Sequence, residues 1–253
     1  MSNDLEGARA LVTGAGHGIG RAIALGLASA GADVAVHYGH SAEAAEQTAA
    51  EIVALGRRAK TFAGDVRDPA AVAGLVGDAV DFLGGLDVLV TNAGHLVARS
   101  PVADMSDELW HQVIDVNLTS TFLTCRAALP ALIASKGRIV TMSSVAAHNG
   151  GGPGSVAYAA AKAGILGFTK GLARELGAQG VTVNAVAPGF IGGTAFHDTF
   201  TSPDAQRAQI AGIPVGRAGT VDDVAAAVCY LAGPNAGFVS GATLDITGAA
   251  WVR

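Results

Sequence analysis

Short runs of β-branched and aliphatic residues alternate along this chain with longer stretches in which apolar positions recur every three or four residues. The first pattern is that of a buried strand, the second that of an amphipathic helix. Strand-like runs fall at Ala8–Thr13, Val34–Tyr38, Lys60–Ala63, Leu86–Val90, Gly137–Met142, Val181–Val186 and Ala242–Ile246. Helical patterns lie between them. The first sets Ile19, Ile23, Leu25 and Leu27 among alanines and glycines, a composition suited to close packing on a sheet. Others cover 42–55, 106–135, 156–176 and 221–231, and one starts at Pro69, in the first-turn position that proline favours. Residues 150–155 read as a loop and 188–214 as an irregular lobe.

Strands alternating with helices imply a parallel sheet covered on both faces, joined by right-handed crossovers. No linker, repeat or low-complexity segment interrupts the pattern. The expectation is one doubly wound α/β domain over residues 1–253 with a seven-stranded sheet, and a substrate lobe at about 190–213.

Composition adds constraints. The chain is 50% apolar and 15% charged, against roughly 25% charged for an average soluble protein. That balance points to much buried surface, part of it between subunits. The net charge is −5 and no basic run occurs, which argues against nucleic acid and anionic membrane as partners. Cys125 and Cys229 sit in apolar helical patterns and read as core thiols. No Cys/His/Asp grouping has metal-ligand spacing, so no metal is expected. Residues 1–7 lack a basic start and an apolar core, and no apolar run reaches the ~18 residues of a membrane span. A cytoplasmic protein is expected.

In open parallel sheets, ligands bind outside the carboxyl ends of the strands, where the strand order reverses. The unusual residues of this chain gather at those ends. They are Gly14, Gly16, His17, Gly18, Ile19 and Gly20; then Tyr38, His40 and Ser41; Asp65 and Val66; Asn92, Ala93 and Gly94; Ser143 and Ser144; and Pro188 and Gly189. A glycine-rich turn opening a helix brings backbone N–H groups up to a phosphate. Its spacing, Thr13-Gly14-x-x-x-Gly18-x-Gly20, fits neither glycines at i, i+2 and i+5 nor a P-loop ending in Lys-Ser/Thr. Elsewhere, Tyr158 and Lys162 stand four apart on a small-residue helix and so share one face. A cation beside a phenol lowers its pKa by about 1–3 units, towards the range of proton transfer near neutral pH.

These residues resemble the short-chain dehydrogenase/reductase family. The matches are Thr13-Gly14-Ala-Gly-His-Gly18-Ile-Gly20, Asp65, Asn92-Ala93-Gly94, Asn117, Ser144, Tyr158-x-x-x-Lys162 and Pro188-Gly189, in family order across essentially the whole chain. The resemblance implies a Rossmann-like fold and hydride transfer between nicotinamide and a substrate carbon. By it, Tyr158 exchanges the proton at the substrate oxygen and Ser144 orients that oxygen. Lys162 binds the nicotinamide ribose and lowers the Tyr158 pKa, and Asn117 anchors a water in a proton relay. Ser144 lies fourteen residues before Tyr158, where many members place it thirteen before. We assign the extra residue to the 148–155 loop, and Ser143 to packing beneath the sheet end.

An acid at the end of the second strand would hold a ribose 2′-OH and select NAD. That position is Tyr38, and the turn Tyr38-Gly39-His40-Ser41 suits a phosphate instead, as in NADP-using members; His17 stands where those members carry arginine. NADP(H) is therefore preferred over NAD(H). Ile191 and Thr194 complete the expected cofactor contacts, although members place that threonine one residue earlier, at Gly193 here. His95, His148 and Phe190 are the expected substrate contacts beside Ser144 and Tyr158, while His37, His111 and His197 read as packing or surface residues. Phe190, Ile191, Phe196 and Phe200 give the lobe the look of a lid with a Gly192-Gly193 hinge. Arg207 is its only prominent arginine, so no dedicated carboxylate clamp is expected.

The favoured reading is an oxidoreductase interconverting a ketone and a secondary alcohol on a small-molecule substrate. Beta-ketoacyl carrier-protein reductases are the runner-up; many of them carry a basic residue where Gln179 stands here. A sugar or polyol dehydrogenase, and a non-catalytic dinucleotide sensor, are also compatible with these residues. By resemblance the chain is a homotetramer, pairing the 106–135 and 156–176 helices and, across another axis, the seventh strand. Gly248-Ala249-Ala250 departs from the double glycine usual near that end.

Overall fold

A computed structural model describes residues 4–252. The side chains of residues 196–198 also lie outside the described set, so the expectations for Phe196 and His197 are not addressed by it. Seven strands form one all-parallel sheet: β1 (Arg9–Val12), β2 (Asp33–Tyr38), β3 (Ala59–Ala63), β4 (Val88–Thr91), β5 (Arg138–Met142), β6 (Thr182–Pro188) and β7 (Thr243–Ile246). Their order is β3-β2-β1-β4-β5-β6-β7. The chain therefore winds outward in one direction from β1 and then in the other from β4, which places the switch point between these two strands. Leu11 is in register with Ala35 on one side and Leu89 on the other, so the central strands are fully flanked.

Side chains alternate between the faces along each strand, and helices cover both. On one face α1 (Gly18–Ser29), α2 (Ala42–Ala54) and α10 (Val221–Ala232) bury Ile23, Leu27, Ile52, Val224, Val228 and Leu231 against Ala10, Val12 and Val36. On the other, α3 (Pro69–Leu83), α5 (Ser120–Ser135) and α7 (Val156–Leu176) bury Leu75, Val76, Leu123, Leu132, Leu172 and Leu176 against Leu11, Leu89 and Ile139. Ile19 and Leu25 sit at the edge of the first core. Cys125 is buried and Cys229 half-buried, both as free thiols; burial pushes the Cys125 thiol up to about 12 and keeps it inert.

The structure departs from the expected elements in three places. The 106–135 helix is α4 (Asp107–Ile114), one π-helical turn at Asp115–Thr119, and then α5. Ser106 caps its start by accepting from the Leu109 N–H. As one helix, Asp107–Ser135 is long and apolar enough by length and composition to cross a membrane. Counting only uninterrupted apolar runs missed this, because polar residues are interspersed. Here it lies on β4 and β5 between α3 and α7. The second departure is α6 (Ala146–Asn149), a single turn within the stretch after β5. The third is the lobe, which holds α8 (Ala195–Phe200) and α9 (Pro203–Ala211) rather than irregular chain. The start of α9 follows ordinary rules, with Ser202 accepting from Ala205 N–H and Pro203 in the first turn.

Candidate active site

The strand ends at the switch point open into a cleft of about 760 Å³. All the expected site residues line it except Asn117 and His148. Its floor is held by side chain to backbone bonds across β1 and β4. The Asn92 amide donates to the carbonyls of Thr13 (2.9 Å) and Gly14 (3.1 Å), and the Ala93 N–H donates to the Thr13 hydroxyl (3.0 Å). Gly20 fits beneath them because it has no Cβ. One built there would stand 2.1 Å from the Gly14 carbonyl oxygen and 2.4 Å from the Asn92 amide nitrogen.

His37, expected to pack or lie at the surface, holds the glycine turn from the β2 side. It is buried, and its Nδ1 accepts from the Gly14 N–H at 3.1 Å. That leaves Nε2 as the N–H, which donates to the Gly64 carbonyl at 3.1 Å. Burial lowers its pKa and keeps the ring neutral. The Ala15 N–H also donates to the His37 carbonyl (2.8 Å), so the turn is anchored by both main chain and side chain. Spacing along the chain carries no hint of this, because the imidazole joins two loops that are distant in sequence.

Beyond the turn, Tyr38, His40 and Ser41 line the cleft at the end of β2 with His17. Asp65 is taken up by Arg67, whose guanidinium bonds both its carboxylate oxygens and holds it down at about 2. Glycine N–H groups at a helix start, open backbone at Gly14 and Gly94, and, among the described residues, no unpaired carboxylate in the lining suit a dinucleotide. Gly94 is needed for close approach, since a Cβ there would stand 2.6 Å from Asn117 Oδ1 and 3.1 Å from Lys162 Nζ.

At the centre, Ser144 and Tyr158 share a hydrogen bond between their hydroxyls. Ser144 is fixed by its neighbours: Ser143 N–H donates to the Val186 carbonyl, and Val145 N–H to the Pro188 carbonyl. The Ser143 hydroxyl turns away to the Lys162 carbonyl at 2.8 Å, which accounts for the pair of serines. Lys162 is buried one helical turn from Tyr158, with Nζ 5.5 Å from the phenol ring centroid. The Met142 carbonyl accepts from it at 2.8 Å. Burial pushes Tyr158 up to about 12, the Ser144 bond opposing it, and pushes Lys162 down to about 7. Desolvation is the larger cause at the phenol and the Ser144 bond opposes it, so the net direction is up, not the downward one expected from Lys162.

Asn117 sits in the π-turn, fully buried, outside the cleft lining. Its amide donates to the carbonyls of His95 (2.7 Å) and Val113 (2.8 Å), and its oxygen accepts from the His95 N–H (3.2 Å). One amide donor thus holds the segment after β4 and the other ties back to α4 across the π-turn. His148 is also displaced from its expected place. The turn of α6 carries it to β7, where Nε2 meets Asp245 Oδ1 at 3.0 Å and the ring stacks on Trp251. The substrate contact assigned to it is therefore withdrawn.

His95 lines the cleft with its ring edge on Phe200, and its Nδ1 accepts from the Val97 N–H at 2.8 Å. That bond accompanies a positive φ of 66° at Val97, a conformation β-branched residues rarely adopt. Burial and the nearby His17 lower the His95 pKa. Phe190, Ile191 and Thr194 line the lobe side, and Thr194 donates to the Ile191 carbonyl. Arg207 pairs with Asp204 on the exposed face of α9. Besides Arg67, the cleft lining includes Arg99, from the loop after β4. Its distance in sequence from the lobe hid it.

A doubly wound sheet with a phosphate-ready glycine turn and a Ser–Tyr–Lys cluster at its switch point defines a dinucleotide-dependent oxidoreductase. The profile of the family described as Enoyl-(Acyl carrier protein) reductase matches residues 14–248. The chain is 42% identical over 241 residues to a 3-oxoacyl-(acyl-carrier-protein) reductase of Synechocystis, covering 94% of this chain and 95% of that one. It is 41% identical over 249 residues to the enzyme of the same name from Escherichia coli K12, covering 97% and 98%. Among solved structures, a dehydrogenase/reductase from Sinorhizobium meliloti 1021 superposes with a TM-score of 0.93 at 40% identity, covering 99% of this chain and 98% of that one. A short chain dehydrogenase from Burkholderia cenocepacia J2315, in complex with NADP, gives 0.91 at 40% identity, covering 98% and 99%. This chain belongs to the short-chain dehydrogenase/reductase family and is an oxidoreductase acting on the CH–OH group.

Replacing Gly20 with alanine is expected to weaken dinucleotide binding more than tenfold, because the methyl group would displace the Gly14 carbonyl. Fluorescence titration of reduced cofactor, with circular dichroism as a check on folding, measures this. Unchanged affinity would contradict the close packing described.

Proposed function

We propose that this protein is an NADP(H)-dependent enzyme that interconverts a ketone and a secondary alcohol on a small or medium substrate. The observation that carries the reading is the Ser144–Tyr158 hydroxyl pair facing the cleft with Lys162 buried beside it. A phenol held up at about 12 keeps its proton at neutral pH and is set to donate it to a carbonyl oxygen. The Ser144 hydroxyl holds that oxygen in place. As Tyr158 gives up its proton, the phenolate charge is balanced by Lys162, whose ammonium has further N–H donors beyond the one given to Met142. The bound dinucleotide supplies the hydride at the carbonyl carbon. Asn117 supports this set by fixing the His95 peptide beneath it.

The cofactor preference rests on the end of β2. His17, His40, Ser41 and the Arg67 guanidinium line the cleft there, and the lining's carboxylate, Asp65, is tied to Arg67. That arrangement suits a 2′-phosphate and gives a ribose 2′-OH no free acid. The Burkholderia relative's complex with NADP agrees with it. We further propose a cytoplasmic homotetramer; exposed Trp110 on α4, Phe122 on α5 and Val156 at the start of α7 support pairing of those helices. A second reading, reduction of a carrier-bound β-ketoacyl thioester, is favoured by the relatives named 3-oxoacyl-(acyl-carrier-protein) reductase. Turnover of such a thioester on its carrier would select it.

Tyr158→Phe is expected to lower turnover by about 10²–10⁴-fold while leaving the cofactor dissociation constant within about twofold. In the wild type, alcohol oxidation is expected to climb with pH from 6 to 10, since the phenolate fraction grows over that whole range. Ketone reduction needs no such deprotonation and gains nothing. Steady-state pH profiles check both, and a flat oxidation profile would contradict the assignment of Tyr158. For the cofactor, NADP⁺ is expected to bind more tightly than NAD⁺, and His40→Asp to reverse the order. Tighter binding of NAD⁺ to the wild type would overturn the preference.

A further inference from the structure

Arg99 has a position that the reaction chemistry does not explain. It arises from the loop after β4, yet it spans the mouth of the cleft between two other segments. Its Nη1 donates to the Pro153 carbonyl at 2.8 Å, in the loop after β5, and its Nε to the Phe200 carbonyl at 3.3 Å, at the end of α8. The glycine loop is shaped around it. A Cβ on Gly152 would stand 3.3 Å from Nη1, and one on Gly154 would stand 3.1 Å from the Arg99 Cβ. Gly154 also accepts the Ser100 N–H, so the two loops are joined by main chain as well.

These contacts fix the guanidinium without neutralising it. Carbonyls accept two of its five N–H donors, and among the described residues no carboxylate pairs with it. Three arginines of the cleft, the lobe and the stretch before α10 differ from it. Arg67 is spent on Asp65, Arg207 on Asp204, and Arg217 on Asp223. The acid in the cleft lining, Asp65, is already paired. Among the described residues the walls therefore carry a pre-oriented cation with no carboxylate partner at the substrate mouth, in a protein of net charge −5. A guanidinium whose plane is set by carbonyls and whose remaining N–H groups are unspent is a carboxylate receptor.

We propose that Arg99 determines specificity, and that the substrate is a keto acid or hydroxy acid whose carboxylate, separate from the reacting carbonyl or alcohol carbon, is bound by Arg99. This rests on the ketone/alcohol reading of the same cleft and narrows its substrate class.

The test is equilibrium binding to enzyme saturated with NADPH, which forms dead-end complexes with alcohols and needs no turnover. The probes are secondary hydroxy acids of four to eight carbons, each paired with its methyl ester, titrated by calorimetry. For the chain length that fits, the acid is expected to bind at least about tenfold more tightly than its ester, the effect of one charge-assisted contact. Arg99→Gln is expected to bring that ratio close to one, and Arg99→Lys, which keeps the charge but loses the fork, to restore part of it. A merely structural tie would change both members of a pair alike and leave the ratio untouched. The proposal is overturned if no acid outbinds its ester in the wild type, or if the ratio survives in Arg99→Gln. Turnover of the esters with NADP⁺ separates the two levels: esters oxidised without any acid preference sink this proposal alone, and acids bound but never oxidised sink the ketone/alcohol reading.

Discussion

The site depends on how closely β1, β4 and the start of α1 approach one another. Asn92 reaches across the switch point to the carbonyls of Thr13 and Gly14, and Gly20 lies against both partners of that bond. Buried polar groups left unmatched here would each cost about 1–3 kcal/mol, so the amide, the two carbonyls and the missing Cβ form one constraint. With it satisfied, the glycine turn presents its backbone to the cleft. His37 closes the turn from the other side through Gly14 N–H and Gly64 carbonyl. The phosphate-facing backbone is thus set by side chains that need not touch a phosphate themselves.

A second constraint operates one strand further along. Lys162 is buried and its charge is disfavoured there, down to a pKa of about 7. Burying such a group costs stability, a cost met most often where a group is kept for chemistry. Its surroundings are held in place: β5 and β6 lock Ser143 and Val145, the Met142 carbonyl accepts a hydrogen bond from one lysine N–H, and Asn117 holds the chain segment opposite. Burial raises the phenol and so keeps on Tyr158 the proton that a donor requires.

Much of this was legible in the sequence. Strand and helix periodicity located all seven strands and the helices that flank them, because each element buries one clear face. The strand-end clusters located the cleft, because a parallel sheet has only one end at which ligands meet its loops. What escaped was decided by long-range contact. His37 looked like packing because its two partners, Gly14 and Gly64, are distant in sequence. His148 looked like a substrate contact because it follows Ser144 closely, but one turn of helix swings it to Asp245 and Trp251. The lobe helices escaped because they are short, six and nine residues, and polar residues blur the period of α9, although Ser202-Pro203 carried its start signal. Arg99 was passed over in favour of Arg207, which belongs to the lobe in sequence but faces away from the cleft and pairs with Asp204.

The central claim is that one cleft delivers a hydride to carbon and a proton from Tyr158 to oxygen. The most direct measurement uses NADPH carrying deuterium at nicotinamide C4, on each face in turn, with a β-keto ester as acceptor and mass analysis of the product. The account predicts one deuterium on the carbinol carbon from one face of the cofactor and none from the other. Alcohol formed without deuterium from either face, or a label divided equally between them, would contradict it.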